Sequence, residues 1–95
     1  MVSTISFAQF EEQALAEGYN EVLERVWEPN QKLESHTHPY AVSVMVIKGE
    51  MWLTQNDHTQ HVKPGDKFKV AQDALHAEVY GPEGTTFWVA RAHPL

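Results

Sequence analysis

The stretch Ala41 to Ile47 constrains the fold more than any other part of the chain, because it carries no charge and is rich in β-branched side chains. Such a run suits a strand buried on both faces. It is entered through Ser35-His36-Thr37-His38-Pro39 and left through Lys48-Gly49-Glu50. Side chains alternate along an extended chain, so two histidines one residue apart, entering a strand, point to the same side. They form a candidate chelating pair, since a neutral imidazole offers one ring nitrogen to a divalent metal while a neighbour holds the other. Gly49-Glu50 is short enough to close a two-residue hairpin into Met51 to Gln55. With Lys48 opposite Met51, Val46 faces Leu53 and Val44 faces Gln55 on the His38 side. Ile47 then pairs with Trp52 on the other face, which puts Trp52 outside any pocket.

Before this stretch, Ser6 and Gln9 have the spacing of a capping box, and Phe7, Phe10, Ala14 and Leu15 recur at helical spacing until Gly18. One amphipathic helix over residues 7 to 17 is predicted, with Glu11 and Glu12 in its first turns, where they suit the helix dipole. From Asn20 to Trp27 the pattern alternates, with Val22, Glu24 and Val26 on one side and Leu23, Arg25 and Trp27 on the other. Glu28-Pro29-Asn30, Asn56-Asp57, Pro64-Gly65-Asp66 and Gly81-Pro82-Glu83-Gly84 read as turns. Between them lie a polar strand with His58 and His61, a strand begun by Phe68 and Val70, a strand over residues 76 to 80, and an apolar strand over residues 85 to 90. Many short strands between regular turns predict an antiparallel barrel or sandwich.

Ninety-five residues make one domain, near the small end of what a single core supports. Hydrophobic residues at 42% against 21% charged place the chain among globular proteins, and no apolar run approaches the roughly 20 residues that span a bilayer. Met1-Val2-Ser3-Thr4 shows no secretory signal, so a soluble cytoplasmic protein without a membrane partner is expected. The absence of cysteine rules out disulfides, thiolate ligands and cysteine nucleophiles, leaving histidine, carboxylate and water for any metal. A formal charge of −6 with seven scattered Lys and Arg residues argues against nucleic acid as a partner.

In the order and spacing of these features the chain resembles a small single-domain cupin, an all-β antiparallel jelly-roll barrel, over about residues 20 to 92. The first motif of that superfamily places a glycine before His-x-His, then a glutamate and a second glycine. His36, His38 and Gly49 match it, and His76 matches the histidine of the second motif. Pro64-Gly65-Asp66 looks like the turn that commonly precedes that second motif. Asn30 stands for the leading glycine, Val42 for the metal-binding glutamate, and Ala71, Asp73 and Tyr80 for the proline, glycine and asparagine of the second motif. The resemblance implies a divalent-metal site of His36, His38 and His76, with ligands that suit Fe, Zn, Ni, Mn or Cu. His58, His61 and His93 are expected at the surface.

If His76 points into the barrel, Glu78 and Tyr80 share its direction, and Ala77 and Val79 face away. Three roles are open to Glu78: fourth metal ligand, acceptor for a histidine N–H, or general base. Tyr80 is a candidate to orient a ligand through its hydroxyl or to close the pocket floor. Trp27, Phe68, Phe87 and Trp88 read as core or interface packing. The resemblance implies a small organic ligand in the barrel, with activity as a metal-dependent dioxygenase, isomerase or hydrolase. The alternatives are a non-catalytic ligand or metal sensor and a metal-free structural barrel. A homodimer is expected, because Met45 and Ile47 with the paired Trp52, and separately Leu23 and Trp27, form apolar rows that one short helix does not cover.

Overall fold

The computed structural model describes residues 5–95. It opens with helix α1 (Phe7–Ala16), started by the expected capping box. The Ser6 Oγ accepts from the Gln9 N–H at 3.1 Å, and the Gln9 side chain accepts from the Ser6 N–H at 2.9 Å. Two otherwise orphaned donors are thereby satisfied. Gly18, at φ 103°, turns the chain out of the helix. Two details of the helix differ from expectation. Its first turn contains no acidic residue, because Glu11 and Glu12 fall one turn later, beyond the reach of the exposed N–H groups. Leu15 is also 52% exposed. Phe10 and Ala14 lie on the buried stripe, and Leu15 sits about 100° further round.

Eight strands follow: β1 (Glu21–Trp27), β2 (Lys32–His36), β3 (Ala41–Lys48), β4 (Met51–Gln55), β5 (His58–Val62), β6 (Lys67–Val70), β7 (His76–Tyr80) and β8 (Thr85–Ala92). They form two antiparallel sheets of four, in the orders β1-β8-β3-β6 and β2-β7-β4-β5. This is the double-sheet jelly roll, in which each sheet takes strands from both halves of the chain. No described helix is long and apolar enough to cross a membrane.

The topology overturns one expectation outright. β3 and β4 do not pair: β3 lies between β8 and β6, and β4 lies between β7 and β5. The residues Gly49-Glu50 therefore carry the chain from one sheet to the other instead of closing a hairpin. Val46 opposes Phe87, Val44 opposes Val89 and Phe68, and Leu53 opposes Gln60 and Glu78. Gly49 is held at φ 78° against the turn that precedes β8, where a β-carbon would collide with the Gly84 carbonyl. A true two-residue hairpin occurs at Asn56-Asp57, where both residues have positive φ, at 54° and 59°, as a type I′ turn requires.

The sheets enclose a core of Val42, Val44, Val46, Met51, Leu53, Val62, Phe68, Val70, Tyr80, Phe87 and Val89. Leu23 and Trp27 pack against this same core, so they face inward and do not form an outer row awaiting a partner. On the outer face of the first sheet, α1 covers Met45, Trp88 and Ala90 with Phe10 and Ala14, and Ile47 packs at the margin. Phe7 meets Trp88 edge-on with ring centres 5.4 Å apart. Trp52 belongs to the other sheet and stacks on His61 at 4.7 Å, outside the barrel as expected. The two apolar rows behind the expected association are thus accounted for within one chain.

Candidate metal centre

His36 ends β2 and His76 begins β7, and the two strands are antiparallel neighbours. Leu33 opposes Glu78 and His36 opposes His76. Three residue steps on β2 match two on β7, so an irregularity between Leu33 and His36 absorbs the odd residue and keeps both on the inner face. His38 lies in the connection from β2 to β3. The pair therefore leaves one sheet instead of entering the central strand of the other, a placement the alternation rule alone could not give. One ring nitrogen from each of His36, His38 and His76 lies within 4.8 Å of the other two.

The backbone orients all three rings in the same way. Nδ1 of His36 is 2.7 Å from the Glu34 carbonyl, Nδ1 of His38 is 3.1 Å from that of Tyr40, and Nδ1 of His76 is 3.0 Å from that of Ala74. A carbonyl only accepts, so each neutral ring carries its proton on Nδ1 and leaves the Nε2 lone pair free. His38 is further fixed by stacking on Tyr40 at 4.4 Å with the planes 7° apart. Three convergent, tautomer-locked imidazoles form a donor set that fits a divalent transition metal.

Glu78, also on β7, is 7% exposed and places Oε2 at 3.6 Å from Nε2 of His36 and 3.5 Å from Nε2 of His76. Its other oxygen accepts from the Tyr80 hydroxyl. Burial pushes the Glu78 carboxyl upward, but the contacts with His76 and Tyr80 outweigh it and hold the group below the ordinary glutamate value. The same carboxylate raises His76, against the effect of its burial. His38 is lowered, chiefly by burial and then by the neighbouring His76 and His36. Burial and the Glu78 charge drive the Tyr80 pKa far up, so its hydroxyl stays a donor. Tyr80 is 1% exposed and stacks on Trp27 at 4.6 Å, behind Glu78 and not on the cavity wall.

The three histidines and Glu78 line a cavity of about 300 Å³ between the sheets. Val42 is in its wall, as expected for the position where cupins carry a glutamate, and offers no oxygen. Phe68 and Phe87, expected as packing, line the cavity as well as the core, as does Trp27. His58, His61 and His93 are exposed, and His61 and His93 pair with Glu50 at 2.6 Å and Glu21 at 2.7 Å. Sequence reasoning missed two cavity residues of consequence, Arg25 and Arg91. The alternation in β1 already grouped Arg25 with Leu23 and Trp27; what it lacked was which face turns inward.

The family model for AraC-like ligand-binding domains matches residues 19–92. The chain belongs to this family, within the cupin superfamily. Among solved structures, this AraC-like domain is similar to an RmlC-like cupin from Shewanella frigidimarina, at 18% identity and TM-score 0.68, covering 78% of this chain and 66% of that one. It is also similar to a conserved protein with a double-stranded β-helix domain from Klebsiella pneumoniae, at 31% identity and TM-score 0.64, covering 75% and 64%. A third similar structure is an HTH_3-family transcriptional regulator from Vibrio cholerae, at 17% identity and TM-score 0.68, covering 84% and 46%. The domain thus spans two thirds or less of each of these chains. A comparison with curated proteins gives no match.

Proposed function

We propose that this AraC-like domain is a metal-centred receptor for a small organic ligand, with His36, His38 and His76 holding a divalent transition metal through Nε2. The observation that carries the reading is the common arrangement of the three rings, each with Nδ1 against a backbone carbonyl and one ring nitrogen of each within 4.8 Å of those of the other two. Histidines that merely fill space have no reason to share one tautomer and one focus. Glu78 supplies the carboxylate that Val42 does not, from the opposite wall of the barrel. Such an ion supplies Lewis acidity to an oxygen of the ligand, or activates water or dioxygen.

The chain's own groups set what else the site does. Glu78 is ionised at neutral pH and stands beside two of the imidazoles, so it accepts a proton from a ligand or water at the centre through Oε2. Tyr80 is a positioning residue: its hydroxyl fixes Oε1 and leaves Oε2 for the cavity. The apolar walls of Val42, Val44, Val70 and Val89 exclude water from the ligand's body. Protein purified without added metal is expected to carry one equivalent of transition metal by mass spectrometry. In His76→Ala, metal affinity is expected to fall at least about tenfold while the melting temperature of the metal-free protein changes little. Metal content unchanged by this substitution would refute the reading.

A further inference from the structure

The cavity is lined by a cation that no carboxylate among the described residues pairs with. Three charged side chains other than histidine line it: Glu78, Arg91 and Arg25. Glu78 faces His36 and His76, and Arg91 donates to Glu21 at 3.2 Å. Arg25 has no carboxylate partner among the described residues. Its guanidinium lies over the Trp27 ring, 4.5 Å from the centroid. A cation–π contact holds the group in place but consumes none of its five N–H donors.

The one carboxylate on the wall, Glu78, already accepts from the Tyr80 hydroxyl and faces Nε2 of His36 and His76. Beside the histidines and Glu78, the cavity therefore offers the Arg25 cation next to apolar side chains such as Val44, Val89 and Phe87, in a volume of about 300 Å³. That is the space of roughly ten waters, enough for a ligand of about ten non-hydrogen atoms.

We propose that the ligand is a small monocarboxylate with an apolar body, its carboxylate bound by the Arg25 guanidinium. This rests on the reading of the barrel as a ligand receptor and names the class of ligand it takes. A single planar guanidinium matches a carboxylate in a two-bond fork, and one uncompensated cation suits a monoanion better than a phosphate dianion. The apolar side chains around it accommodate an aliphatic or aromatic body.

Calorimetric titration of the metal-loaded protein with benzoate and with benzamide, its neutral isostere, tests this, with inorganic phosphate as a second anion. Benzoate is expected to bind at least about tenfold more tightly than benzamide or phosphate. Arg25→Leu is expected to abolish that preference and leave metal content unchanged, and Arg25→Lys to keep part of it. Equal binding of benzoate and benzamide, no binding of benzoate, tighter binding of phosphate, or a benzoate preference that survives in Arg25→Leu would each overturn the proposal. Metal content is read in the same samples. A protein that holds metal but ignores benzoate refutes the carboxylate alone, whereas one that holds no metal refutes the metal centre. The comparison of benzoate with benzamide on the unaltered protein stands even if Arg25→Leu fails to fold.

Discussion

Replacing Tyr80 by phenylalanine isolates the support of Glu78 from every other property of the site. The ring is 1% exposed and stacks on Trp27 with planes 11° apart, and phenylalanine preserves that packing. What disappears is one hydrogen bond from the hydroxyl to a buried carboxylate. Bonds to charged groups contribute about 1.5–3 kcal/mol, and the acceptor left behind belongs to a carboxylate only 7% exposed. For a domain of this size, a loss of about 2 kcal/mol lowers the melting temperature by roughly 8–16 °C. The loss also depends on pH in a definite direction. Glu78 is held below its ordinary value in the folded state, so the stability it contributes is present above that value and is lost as pH falls through the folded pKa. Removing the hydroxyl raises that pKa. Thermal unfolding of the metal-free proteins at pH 7 and at pH 3 checks both points: the difference between Tyr80 and phenylalanine should be large at pH 7 and shrink at pH 3. Equal melting temperatures at pH 7, or a gap that persists undiminished in acid, would refute the assigned role of the hydroxyl.

Other perturbations have equally direct outcomes. Metal affinity is expected to fall as pH drops through the His76 pKa, by up to about tenfold per pH unit for each ligand that must lose a proton, as competition titrations would read. Because Glu78 raises His76, that decline begins above the ordinary imidazole value of 6.5. The metal-free protein behaves oppositely there: the stability from charged His76 is present below the ordinary value and lost as pH rises through the raised pKa, a trend that denaturant midpoints across pH 6–8 would show. Gly49→Ala is expected to cost at least about 2 kcal/mol in urea unfolding, since positive φ alone costs an L-residue roughly 1–2 kcal/mol and the new β-carbon meets the Gly84 carbonyl. Ser6→Ala removes one half of the capping box and should cost about 1 kcal/mol in the same assay, without changing metal content.

Period, turn chemistry and spacing determined a large share of this protein. The capping box at Ser6 and Gln9, the alternation in β1, the Asn56-Asp57 hairpin, and the inward direction of His76, Glu78 and Tyr80 are consequences of local backbone geometry, and local geometry is written in neighbouring residues. The cupin resemblance added what local rules lack, the meeting of His36 and His38 with a histidine far along the chain. Pairing across the molecule was decided elsewhere. Gly49-Glu50 has the length of a hairpin, yet the glycine accepts the positive φ with which the chain crosses between sheets, and β3 pairs with β8 and β6 instead of β4. Which side of β1 turns inward was likewise a tertiary matter. Leu23, Arg25 and Trp27 share a face by alternation, but only closure of the sheets makes that face a cavity wall and leaves the Arg25 cation inside it. Alternation states which residues stand together; it says nothing of what stands opposite, because the partner comes from a distant strand chosen by the burial of the whole.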